Sequence, residues 1–149
     1  MVEILVYTFE NFPQINELKN NFGDVFIFKK LREDIDSFCK KIIEVKPKLI
    51  LGVAKSKKYS YFEPLTINRF NKSKKVINSL NEEFILDIPN LNNTNFLIRK
   101  RPTTSFCNYS MYKIKNFLEE NGLEIPFSFV HIKQQDIKLL PNLLNKNFF

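Results

Sequence analysis

Apolar and polar positions follow two rhythms along the chain, and each predicts a kind of element. Residues 2–8 (V-E-I-L-V-Y-T) and 24–28 (D-V-F-I-F) are short runs rich in β-branched and aromatic side chains, which marks strands. Residues 48–54 (K-L-I-L-G-V-A) are almost continuously apolar, as a central parallel strand covered on both faces would be. Residues 127–132 (F-S-F-V-H-I) read as another strand. Residues 84–88 and 95–99 read as two shorter ones, split by the turn-like P-N-L-N-N at 89–93. Residues 59–70 are extended or hairpin-like. The helical rhythm is clearest over 32–46, where Ile35, Phe38, Cys39, Ile42 and Ile43 share one face. Asp34 lies in its first turn, Lys46 in its last, and Pro47 stops it. A second helix spans about 104 to 121, with Thr104 or Ser105 as N-cap and Gly122 just past its end. A short polar helix opens at Pro13 and ends at Phe22-Gly23. An amphipathic segment broken near Pro141 closes the chain.

Strands alternating with helices predict an α/β fold: a single-domain three-layer sandwich over residues 1–149 with a mostly parallel central sheet. Sites in such sheets form beyond the carboxyl ends of the strands. The residues there are 9–12, 54–58, 103–107 and His131. The chain's one histidine and one of its two cysteines are on that short list.

Composition removes most alternatives. With 44% apolar residues the chain can bury a core. Its three glycines (Gly23, Gly52, Gly122) are too scattered for a dinucleotide or phosphate loop, and two cysteines with one histidine cannot build a zinc finger. No cofactor and no metal are expected. No apolar run approaches the ~18 residues of a membrane span, and no basic stretch leads into an apolar one at the start. The expected compartment is the cytoplasm, with no membrane partner. Lys, Asn, Ile and Phe make up 69 of the 149 residues, the mark of AT-rich codons, so part of the +7 net charge reflects codon usage. Only 4 of the 23 basic residues are Arg, the side chain that clamps phosphate and reads bases best, so nucleic acid is not the expected partner. Residues 55–101 carry a net +6, in Lys55/Lys57/Lys58, Lys72/Lys74/Lys75 and Arg99/Lys100/Arg101. A solvated face accounts for this, with attraction of acidic peptides or of phosphate as functional readings. Tyr59 and Tyr61 interleave with the first cluster and keep a single-strand-binding alternative open.

The two cysteines differ in position. Cys39 lies mid-helix on an apolar stripe and reads as a small buried hydrophobe. Cys107 falls in the first turn of a helix, where free N–H groups and the helix dipole favour a thiolate and predict a lowered pKa. It also shares a face with Met111, Ile114 and Leu118, so a packing role stands beside the nucleophilic one. His131 follows Phe127 and Phe129 at period 2. A core-edge histidine is the plain reading, and an acid–base partner of Cys107 the sharper one.

Five stretches, in order, resemble the pyroglutamyl peptidase I family of cysteine peptidases. L-V-Y-T-F-E-N-F at 5–12 is similar to that family's L-V-T-G-F-E-P-F. K-P-K-L-I-L-G-V at 46–53 is similar to its K-P-D-x-x-L-G-V strand. F-E-P-L-T-I-N at 62–68 resembles I-E-R-x-A-x-N, F-C-N-Y-S-M-Y at 106–112 resembles C-N-Y-x-M-Y, and F-V-H-I at 129–132 resembles F-I-H-V. The resemblance implies a catalytic Glu63–Cys107–His131 triad, ring-gripping Phe9 and Phe12 with Phe106 beside the nucleophile, and removal of N-terminal pyroglutamate from peptides without a metal. Monomer and homo-oligomer are both compatible with it. The departures are specific. Family members are longer, the stretch from Asn68 to Cys107 is compressed, and the I-P-D-N-E-G loop is missing. So is the Arg before that loop; Arg69, Lys72 and Lys74 are out of register with it. The G-Q-A-G loop is replaced by A-K-S-K-K at 54–58. A triad with rewritten recognition loops also leaves room for a catalytically silent relative that acts as a binding module.

Overall fold

A computed structural model describes residues 3–71 and 74–149. The predicted strand start at Val2 and the predicted basic residue Lys72 lie outside the described residues. The chain runs β1 (Ile4–Phe9), α1 (Ile15–Phe22), β2 (Val25–Phe28), α2 (Leu31–Val45), β3 (Leu49–Lys55), β4 (Tyr61–Phe62), β5 (Leu65–Ile67), β6 (Glu83–Ile85), β7 (Leu97–Ile98), α3 (Phe106–Glu120), β8 (Phe127–Ile132), a 3₁₀ segment (Gln134–Leu139) and α4 (Leu140–Phe148). Six strands form one sheet in the order β2-β1-β3-β8-β4-β7, and β5 pairs with β6 in a small second sheet. The contacts from β2 through β8 are parallel, and only β4 runs antiparallel to β8. This is the expected α/β sandwich.

The period-2 alternation of the strands divides the core. Tyr7, Ile50, Phe127 and Phe129 meet Ile35, Phe38 and Ile42 of α2 and Met111, Ile114 and Leu118 of α3 on one face. Val6, Leu51, Val53 and Val130 meet Leu18 of α1 and Leu140 and Leu144 of α4 on the other. Gly52 has a packing reason. It lies in register between Tyr7 and Phe129, and a Cβ there would run into both rings. The ring of Tyr7 closes over it and reaches Ser110 of α3, hydroxyl to hydroxyl, at 2.8 Å.

Two expectations are corrected. Ile43 is 46% exposed, since it lines an open groove between α2 and α3 with Cys39, Lys113 and Asn116. Pro141 does not break the last segment. It occupies the first turn of α4, where its missing N–H costs nothing, and the 3₁₀ segment feeds straight into it. Of the two readings of residues 59–70 the extended one holds: β4 joins the main sheet and β5 pairs with β6 in the second. Asp34 lies in the first turn of α2 as expected and accepts the backbone N–H of Lys29 (2.6 Å) and Lys30 (2.8 Å), and those bonds hold its carboxyl below the usual range.

Candidate active site

The carboxyl ends of β1, β3 and β8 come together at the N-terminus of α3. A pocket of about 150 Å³ opens there, lined by Phe9, Asn11, Phe12, Ala54, Lys55, Phe106, Cys107 and His131. Each side chain arrives by a local rule. Alternation along β8 puts His131 on the same face as Phe127 and Phe129, the face that α3 covers. Phe9 ends β1, and a turn closed by Phe12 N–H to the Phe9 carbonyl (2.9 Å) brings the second ring to the same mouth. Phe9 and Phe12 are buried. Phe106 is half-exposed at the rim, edge-on to Phe9 with ring centres 4.8 Å apart. Ser105 is the N-cap of α3, and its hydroxyl accepts the Cys107 N–H at 3.3 Å.

Glu63 reaches the site through the sheet. Tyr61 pairs with His131 and Phe62 with Val130, and the Glu63 N–H bonds the Phe129 carbonyl at 3.0 Å. Two residues beyond Tyr61, Glu63 therefore projects on the His131 face. Its carboxylate is wholly buried, with Oε1 3.3 Å from His131 Nε2. Cys107 lines the same pocket as the imidazole. The triad residues expected from the resemblance thus share one locality, and Phe9, Phe12 and Phe106 surround it.

Two neighbours of the triad stood out in the sequence only as parts of the basic segment. Tyr61 stacks on the imidazole at 4.6 Å and 17°. Arg99, just past β7, brings its Nε to 3.5 Å from Glu63 Oε1. The missing Arg of the resemblance has no in-register counterpart, yet a guanidinium stands beside the carboxylate from a different strand. Its signal was the parallel pairing of β7 with β4, which sequence alone does not reveal. Both contacts of Glu63 are within ion-pair range, but neither has hydrogen-bond alignment. Glu63 Oε1, Glu63 Oε2 and His131 Nε2 have no hydrogen-bond partner among the described residues. Such contacts commonly tighten when a substrate arrives.

The expected low pKa of Cys107 is overturned. Burial pushes its thiol up to about 12; the Ser105 hydroxyl opposes the rise, the Glu63 charge adds to it, and Arg99 opposes it. The helix end favours a thiolate, but a thiol only 5% exposed loses more from missing water than the dipole returns. Cys39 is buried as expected, and burial pushes its thiol to about 12 as well. Among the described residues no three His, Cys, Asp or Glu side chains are grouped to hold a metal ion, and no helix is long and apolar enough to cross a membrane.

No family model matches this sequence, and no curated protein matches it closely enough to count as a relative. Solved structures do match. The pyrrolidone carboxyl peptidase of Thermococcus litoralis superposes with a TM-score of 0.71 at 17% identity, over 89% of this chain and 77% of that one. A mutant pyrrolidone carboxyl peptidase from the hyperthermophile Pyrococcus furiosus gives 0.66 at 16%, over 97% and 84%. Pyroglutamyl peptidase I from Bacillus amyloliquefaciens gives 0.69 at 14%, over 91% and 83%. The chain therefore has the fold of the pyrrolidone carboxyl peptidases.

Proposed function

We propose that this chain is a cysteine peptidase that removes an N-terminal pyroglutamyl residue from peptides. The observation that carries the reading is the pocket itself. A thiol and an imidazole line it together with two buried phenylalanine rings, and a buried carboxylate lies 3.3 Å behind the imidazole. Flat aromatic faces suit an uncharged lactam ring.

The roles follow from the chemistry. With its thiol pushed up to about 12, Cys107 is neutral at ordinary pH and needs a base at the moment of attack. His131 takes the thiol proton as sulfur bonds to the pyroglutamyl carbonyl carbon, and Glu63 steadies the imidazolium. The N-terminal end of α3, where Cys107 sits, presents the positive end of the helix dipole to the developing oxyanion. The imidazolium then returns its proton to the departing peptide nitrogen, leaving a thioester on Cys107. A water deprotonated by His131 cleaves that thioester and releases pyroglutamate.

The test is hydrolysis of a fluorogenic pyroglutamyl amide beside the prolyl and alanyl amides. The expected result is turnover of the first alone, lost in Cys107→Ser and in His131→Ala. A folded wild-type protein that leaves the pyroglutamyl amide intact would reduce the chain to a silent relative with a binding role.

A further inference from the structure

Arg99 is held in place without help from Glu63. Its Nε–H donates to the Arg101 carbonyl at 2.7 Å, and its Nη1 donates to the Tyr61 hydroxyl at 3.0 Å. The guanidinium carbon lies 5.5 Å from the centre of the Tyr61 ring, which in turn stacks on His131. The charge is thus pinned by its own strand end and by Tyr61, 3.5 Å from a carboxylate with which it has no aligned hydrogen bond.

Two cations therefore compete for one buried oxygen. A carboxylate 3.3 Å from the imidazole attracts positive charge on the ring. A protonated His131 cannot accept the proton of a neutral thiol. The other groups around the ring do not solve this. Lys55 lines the pocket from β3 at an exposed position, Cys107 faces it from α3 as a neutral thiol, and Tyr61 covers it from β4 with its phenol pushed up by burial. Arg99 is the fixed positive charge that faces Glu63.

We propose that Arg99 is a positioning residue of this site, a pinned positive charge that offsets Glu63 and works against the imidazolium form of His131. As a statement about catalysis this rests on the peptidase reading, but the electrostatic coupling can be measured without it. His131 is the only histidine in the chain, so its imidazole proton resonance titrates alone in an NMR spectrum.

The experiment is that titration at low salt in wild type, Arg99→Gln, Arg99→Lys and Tyr61→Phe, with amide dispersion as the check on folding. The expected result is a midpoint raised in R99Q by about half a pH unit or more, the effect of losing a screened like charge one neighbour away. R99K should bring it back toward wild type, since the charge returns. Tyr61→Phe, which keeps the stacked ring and removes one of the two anchors, should raise it by less. The acid limb of kcat/KM for the pyroglutamyl amide should move with the midpoint while the alkaline plateau holds. A merely structural Arg99 would lower stability and leave the midpoint where it was, and that result would overturn the proposal. If R99Q fails to fold, an unmoved midpoint in Tyr61→Phe does the same. A shifted midpoint in a protein that never cleaves the amide would sink the peptidase reading alone.

Discussion

Asn108 follows the candidate nucleophile directly, and its removal should be among the more costly single changes in the protein. Its side chain is wholly buried. Oδ1 accepts from Thr66 Oγ1 at 2.6 Å and from the Ile67 N–H at 3.0 Å, and Nδ2 donates to the carbonyls of Ile67 (2.8 Å) and Arg69 (2.9 Å). The residue clamps β5, and with it the segment that carries Glu63, onto the helix that carries Cys107. Asn108→Ala removes four hydrogen bonds worth about 1 kcal/mol each net, and strands backbone groups whose burial adds to the loss wherever water cannot replace the amide. The expected cost is about 4 kcal/mol, which a domain with roughly 5–15 kcal/mol of stability survives. Urea unfolding reads it as a lower midpoint at unchanged slope. Hydrolysis of the pyroglutamyl amide should fall too, because Glu63 loses its anchor to α3. A destabilisation below about 1 kcal/mol would refute the reasoning, since it would mean that the strand finds other partners when the clamp is gone.

Other consequences are equally open to measurement. Gly52→Ala should destabilise by about 1–3 kcal/mol, because the new methyl group meets the Tyr7 and Phe129 rings, and an unchanged urea midpoint would contradict that packing. Both thiols should make the fold sensitive to alkali. Each is pushed up to about 12 in the folded chain against roughly 8.5 when unfolded, so their contribution is complete below the unfolded value and is lost as pH rises toward 12. Between about pH 7.5 and 9.5 the loss should be on the order of 1 kcal/mol per thiol, and Cys39→Ala should show a shallower alkaline fall than wild type.

The strands and helices that follow a clear period were legible from the residues. β8 lies where F-S-F-V-H-I put it, and β1, β3, α2 and α3 are close to their expected bounds. The pocket was legible for the same reason, because residues at the carboxyl ends of parallel strands must meet. What escaped was non-local. The pairing of β4 with both β8 and β7 rests on two-residue strands that leave almost no pattern in the sequence, and it is this pairing that brings Tyr61 and Arg99 to His131. Arg99 was visible only as one charge in a basic cluster. The Cys107 thiol was misjudged because a position in a first turn reports the dipole and not the burial. Asn108 stood in plain view after Cys107, but its reason lies in a strand forty residues upstream.

The most direct test of the central claim is covalent capture by a pyroglutamyl chloromethyl ketone, an alkylating agent that carries the lactam ring, followed by mapping which cysteine it modifies. The account predicts a single adduct on Cys107 and none on Cys39, slowed by free pyroglutamate in competition and lost in His131→Ala. Equal labelling of the two thiols, or labelling no faster than with a chloromethyl ketone that lacks the ring, would contradict it.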